Sequence, residues 1–325
     1  MLSRRAALVL LATGCLTPAS AAAQRDVPPR VGVLSLTSGP DSLPLRSLRR
    51  RFEELGYVDG RRLTVDFLGA EGQVDRLPDL AARLVAGRPA LIMALGGAEP
   101  ASAARTATTT IPIVFTIASD PIADGLVGSL ARPGGNVTGV SSLNSELDAK
   151  RLELLKEVVP ALKRVAVLVN PTDRTATPAR GRAETAARRL GLQLQAVEVR
   201  TPQEIDTAVG RARTTAEAAL LLGTPFLFPH LPRVGALAAR HRLPVIGPSR
   251  ELPAAGGLMS YGTNLEEMFR RAADMADRIL KGARPADMPV EQPTTFELVI
   301  NARAAEALGI TLSPALLTRA DTVLR

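Results

Sequence analysis

The residues best placed by type and spacing to do chemistry are Ser119-Asp120-Pro121, inside the stretch 111–139, IPIVFTIASDPIADGLVGSLARPGGNVTG. An apolar β-type run, 111–118, stops sharply there. A Ser or Asp just before Pro is a helix N-cap with proline at the first helical position, so a short helix is expected after Asp120. This sets backbone N–H groups and one carboxylate at the C-terminal end of a strand, where open α/β sheets hold their ligands. The chemistry implied is recognition. N–H groups at a helix start suit a carboxylate or similar anion, and the Asp120 carboxylate suits an amine.

Five other turns have the same character: Leu36-Thr37-Ser38, Gly96-Gly97-Ala98, Asn170-Pro171-Thr172-Asp173, Gly223-Thr224-Pro225-Phe226 and Pro248-Ser249-Arg250-Glu251. The candidate ligand-binding set is therefore Thr37, Ser38, Gly97, Ala98, Ser119, Asp120, Asn170, Thr224, Phe226, Arg250 and Glu251. Any one Ser or Asp among them can be no more than a helix cap; a common cleft is what would make the set a site. Other chemistries lack their residues. The two histidines, His230 and His241, and the single Cys15 supply neither a metal cluster nor a thiol nucleophile. No G-x-S-x-G, G-x-G-x-x-G or Walker lysine is present, so no catalytic residue, metal or cofactor is expected.

The elements that must position these turns alternate. Strand-type runs at 30–36, 63–67, 90–95 and 111–118 are separated by helical patterns ending at Gly56, near Val85 and near Thr106. Strands and helices on short connections imply a parallel sheet with helices on both faces. The order recurs about 134 residues further on: RVAVLVN at 164–170 mirrors RVGVLSL at 30–36, and LPVI at 243–246 mirrors IPIV at 111–114. Two lobes of one topology follow. The remaining chain, GGLMSYG at 256–262, a long helix over 265–280 and an extended run over 289–301, is expected to pass back between the lobes and form a hinge.

At 325 residues the chain is long enough for two cored lobes. The net charge of +8 comes mostly from arginines scattered among acids, with no basic stripe, so no nucleic-acid partner is expected. The N-terminus has two arginines (Arg4, Arg5), an apolar run over 6–16 and small residues to Ala23, the layout of a secretory signal over 1–23. A twin-Arg export signal and lipoprotein anchoring at Cys15 are the competing variants.

The segments IPIVFTIASDPIADGLVGSLARPGGNVTGVSS, KRVAVLVNP, GGLMSYGTN and ILKGARPADMPVEQPTTFELVINARAAEALGI resemble the bacterial ABC-transporter substrate-binding family, over residues 30–325. Its members include tryptophan- and aromatic-amino-acid-binding lipoproteins. The resemblance implies an α/β type I periplasmic-binding-protein fold, with two Rossmann-like lobes joined by a three-crossing hinge. The expected lobes are 30–145 plus 258–290 and 146–257 plus 291–325. It further implies an exported, periplasmic solute-binding protein that takes an amino acid or small carboxylate-like molecule in the cleft. Delivery would be to an ABC permease subunit in the inner membrane. Ser119-Asp120-Pro121 matches the family's strand-end motif, so a ligand-facing role transfers best there. Ala98-Glu99 stands where members often carry Thr-Pro, leaving backbone donors only. The alternative reading is a two-lobed α/β enzyme acting on a small metabolite, which would require a thiol in each lobe or a phosphate loop.

Overall fold

A computed structural model describes residues 28–36, 39, 42–58, 60–142, 147–173 and 175–325. Residues 1–23, read above as a signal segment and including Cys15, lie outside the described residues, as do Thr37 and Ser38.

The first lobe follows from its apolar runs. Strand β1 (Arg30–Ser35) leads to helix α1 (Leu43–Glu54), β2 (Thr64–Gly69), α2 (Leu77–Ala86), β3 (Leu91–Leu95), α3 (Ala98–Ala107), β4 (Ile113–Ala118) and β5 (Val137–Ser141). All pair in parallel in the order β2-β1-β3-β4-β5. Every residue of β3 is buried, as a strand covered on both faces requires.

The second lobe continues with α4 (Asp148–Val158), β6 (Arg164–Val169), α5 (Ala176–Arg189), β7 (Gln193–Glu198), α6 (Ile205–Thr215), β8 (Ala218–Leu220), α7 (Leu231–His241), β9 (Val245–Gly247), the short α8 (Glu251–Ala254) and β10 (Met259–Thr263). Helix α9 (Leu265–Leu280) then returns to the first lobe. There Leu265, Met268, Phe269 and Ala272 pack with Leu45, Leu48 and Phe52 of α1. Asn264 caps α9 by accepting the Glu267 N–H, with Glu266 and Glu267 favourably placed in the first turn. Strand β11 (Phe296–Asn301), α10 (Ala302–Ala307), α11 (Pro314–Arg319) and β12 (Thr322–Leu324) complete the second lobe. Its sheet runs β12-β11-β10-β9-β8-β6-β7, with β10/β11 as its antiparallel pair.

The fold is thus two α/β lobes of mostly parallel strands. The chain crosses between them after β5, at Asn264 and over 291–295. At the third crossing Glu291 is tied to β5, donating its N–H to Gly139 and accepting from Ser141.

Three sequence expectations need correction. The stretch 258–263 does not join the first lobe: β10 pairs with β9 and β11, and the return to the first lobe begins with α9. Second, no helix follows Pro121. Residues 121–125 form a single turn, in which Asp124 N–H reaches the Asp120 carbonyl and Gly125 adopts φ +68°. Glycine in the left-handed region ends a helix as readily as it ends a turn, and the chain then buries Leu126 and Val127.

The third concerns β4, which is not a regular strand. Ile113 and Phe115 face α2 and α3, while Val114 faces α1 and α9. Alternation would send Ile117 to the α2/α3 side. Instead Ile117 sits at φ +65° in a register shift against β5, packs on the α1/α9 side, and leaves Ala118 on the other. A β-branched residue in this region is strained, and such bulges re-aim side chains at the ends of strands.

Candidate functional site

The parallel sheets place the ends of β1, β3 and β4 in one lobe, and of β6, β8 and β9 in the other, on the sides where the candidate turns stand. The two sets meet. A Cβ placed on Gly97 would lie 3.3 Å from Pro225 Cγ, so the turn after β3 and the turn after β8 are in contact across the lobes. Gly97 adopts φ +123° just before α3, a conformation an L side chain resists, and the missing side chain admits Pro225. Ala98 opens α3, half-buried, and offers no side-chain donor.

Ser119 is half-buried and Asp120 exposed at the end of β4. The Asp120 carboxylate accepts the Ala123 N–H at 3.0 Å, so it does cap the turn. Burial, and then the Asp120 charge, raise the Asp124 carboxyl above its usual range. Asp120→Ala is expected to lower folding stability by about 1 kcal/mol through the lost cap. Ligand affinity measured on the same variant would fall further, by about 1.5–3 kcal/mol, if the free lone pairs also hold an amine.

In the second lobe, Asn170 is buried and its Oδ1 accepts from the Thr172 N–H (2.9 Å) and hydroxyl (2.8 Å). Asp173 repeats this with Thr175 and also accepts the Phe226 N–H at 3.4 Å. The carboxylate of Asp173 therefore ties the end of β6 to the turn after β8. Thr224 is 3% exposed, and its Oγ1 has no hydrogen-bond partner among the described residues. Buried hydroxyls are ordinarily satisfied, so this one is a candidate for a bound group. Phe226 packs on the α6/α7 core and meets the His230 ring edge-on at 5.8 Å. Burial, and then Arg233, lower the His230 pKa, favouring the neutral ring. Arg250 is half-exposed and pairs with Glu297 of β11 at 3.4 Å; Glu251 accepts from the Ser249 hydroxyl. Both charges at the end of β9 thus have partners within their own lobe.

Sequence reasoning missed Arg151, and it read Phe228 as core or cleft wall without foreseeing that the two lobes share it. Arg151 on α4 is fully buried, paired with Asp148 at 2.6 Å and donating from Nε to the Tyr261 carbonyl at 2.7 Å. In KRLELLKE it reads as one more solvated charge. Phe228 packs on the α6/α7 core of its own lobe and on the α1/α9 core of the other. No local pattern marks a residue shared between lobes.

Among the described residues no group of three His, Cys, Asp or Glu could hold a metal ion, and no helix is long and apolar enough to cross a membrane.

Comparison with known proteins adds four findings. The family model described as ABC transporter substrate binding protein matches residues 30–324. A tyrosine-binding protein of Clostridioides difficile is 27% identical over 281 residues, covering 86% of this chain and 81% of that protein. Among solved structures, an ABC domain in complex with L-Trp from Streptococcus pneumonia superposes with a TM-score of 0.83 at 27% identity, covering 91% of this chain and all of that one. The ligand-free, open structure of a substrate-binding protein with adhesive properties from Clostridium difficile gives 0.67 at 25% identity, covering 91% and 99%.

Proposed function

The chain belongs to the ABC transporter substrate-binding protein family, and from that premise we propose that it captures an amino acid between its lobes and hands it to an ABC permease subunit in the inner membrane. The observation that carries the reading is the meeting of the two sets of strand ends at Gly97 and Pro225. In this reading the polar groups at the strand ends of both lobes face one cleft, the place where open α/β sheets bind ligands. The relatives that bind L-Trp and tyrosine support the amino-acid class.

In this reading Asp120 takes the ligand's ammonium. The backbone N–H groups of Gly97 and Ala98, with Thr37, Ser38 and Ser119, take its carboxylate. Asn170, Thr224 and Phe226 close on it from the second lobe, with Arg250 and Glu251 at the rim. A ligand that touches both lobes favours the arrangement in which they meet by its differential affinity for that state. The protein performs no catalysis. The N-terminal segment 1–23 exports it to the periplasm, with cleavage near Ala23, and N-terminal sequencing of the exported chain checks that site.

The test is a thermal-shift titration of the exported chain with the amino acids, small carboxylates, sugars and nucleosides. L-tyrosine or L-tryptophan is expected to raise Tm saturably, by the equivalent of about 2.7 kcal/mol at one hundred times Kd. Stabilisation by a sugar or nucleoside alone would overturn the amino-acid class. Turnover of a metabolite without saturable stabilisation would favour the two-lobed enzyme.

A further inference from the structure

The turn between β8 and α7 does something that no ligand-holding role requires. It leaves its own lobe and seats on the other at two places. Pro225 rests against the backbone of Gly97, where any side chain would intrude: an added Cβ would stand 3.3 Å from Pro225 Cγ and 2.9 Å from Glu99 Oε2. Three residues on, half-buried Phe228 reaches the α1/α9 core of the first lobe while still packed on the α6/α7 core of its own. The turn is held stiffly enough to present both. Leu227 between them is fully buried, the Phe228 N–H bonds to the Thr224 carbonyl at 3.1 Å, and Asp173 accepts from the Phe226 N–H.

The first lobe presents a matching surface at a cost. The strained bulge at Ile117 turns that side chain away from the α2/α3 face onto the same α1/α9 core that receives Phe228. Strain of this kind persists where the surroundings over-determine it, and it clusters at clamps and switches. The chain also superposes better on the L-Trp complex than on the ligand-free open relative, at comparable identity.

We propose that Pro225 and Phe228 form an interlobe clasp on Gly97 and the Ile117-bearing core, so that the lobes of this protein meet even without ligand. The inference rests on the two-lobed binding reading and adds to it a pair of positioning residues. Their contacts cross between lobes, so they exist only while the lobes are together. A hinge that swings the lobes apart exposes Phe228 and frees Gly97. Apparent affinity scales with the fraction of molecules in the competent arrangement, so the clasp sets ligand affinity without touching the ligand.

The experiment measures the interlobe distance in the full chain with no ligand added. Spin labels at Arg105→Cys on α3 and Arg213→Cys on α6, both exposed, are placed on a Cys15→Ser background. The unsubstituted clasp is expected to give a predominant short-distance population. Phe228→Ala should raise the open-to-closed ratio roughly ten-fold, the effect of losing about half an aromatic side chain's burial, and Phe228→Leu should restore most of it. Pro225→Gly, which removes no core residue, should move the distribution the same way and guards against a folding defect in Phe228→Ala. Identical distributions in the parent, Phe228→Ala and Pro225→Gly proteins would overturn the clasp, as would a parent that is wholly open. L-tyrosine and L-tryptophan titrations on the parent are read separately. Their failure would sink the amino-acid reading and leave the ligand-free distances to decide the clasp.

Discussion

Asp148→Leu is expected to cost about 3–5 kcal/mol of folding stability, and more than Arg151→Met does. The asymmetry follows from the chemistry of the pair. Both side chains are out of water, 0% exposed for Arg151 and 2% for Asp148, and they meet at 2.6 Å. A guanidinium cannot shed its proton, so Asp148→Leu takes away the carboxylate that the buried Arg151 charge meets at 2.6 Å. A carboxylic acid can take one up, so Arg151→Met leaves a group that neutralises itself. Burial already pushes the Asp148 carboxyl up to about 6, against the pull of Arg151 and Arg182. It lowers the Arg151 pKa from its usual value as well. The double variant Asp148→Leu/Arg151→Met should recover most of the loss, since a well-packed apolar pair pays no desolvation. Urea unfolding with an unchanged m-value reads all three.

The raised carboxyl also gives the sign of a pH dependence. Between the ordinary carboxylate range and about 6 the folded chain holds the Asp148 proton more tightly than the unfolded chain does. The stability contributed by this group is therefore fully present below about 4 and lost as pH rises through about 6. The difference between the parent protein and Asp148→Asn, followed over pH 4–8, should shrink in that direction. A flat difference would show that the paired guanidinium keeps the carboxyl ionised throughout.

Gly262→Ala is the second large effect expected, a loss of about 3 kcal/mol or more from forced repacking. An added Cβ would stand 1.9 Å from the Pro248 carbonyl oxygen and 2.9 Å from its carbon, and 3.4 Å from Arg151 Nη2. The conflict is with backbone, so no rotamer change relieves it. Either β10 or the turn after β9 must move. Since β10 ends at Thr263, just before the second crossing, the displacement reaches the hinge as well as the core. The expected result is a strongly lowered Tm, together with weakened binding of whatever ligand stabilises the parent. A Tm within a degree or two of the parent would mean that the two strand ends approach less closely than this.

Arg151 and Gly262 act at one place, and neither could be found by reading along the chain. Arg151 lies in a segment whose charges otherwise face solvent; what buries it is the placing of α4 beneath β10, some 110 residues later. Asp120 shows the opposite case. Its capping role was legible because a cap is a contact between residues three apart, whereas the helix expected after it was cut to one turn by Gly125 and the burial of Leu126.

Local sequence determined what local forces control. Apolar runs specified the buried strands, helical spacing specified the helices, and recurrence of that order specified two lobes. The family match then confirmed that the chain is a substrate-binding protein. Sheet membership was decided only in three dimensions. The run 259–263 would satisfy either sheet, and its pairing with β9 and β11 is what assigns it to the second lobe. The same holds for the bulge that reverses Ile117, for the burial of the Asp148–Arg151 pair, and for Phe228 lying between two cores. Each depends on atoms brought together from distant parts of the chain, and a hydrophobic pattern says that a side chain will be buried without saying against what.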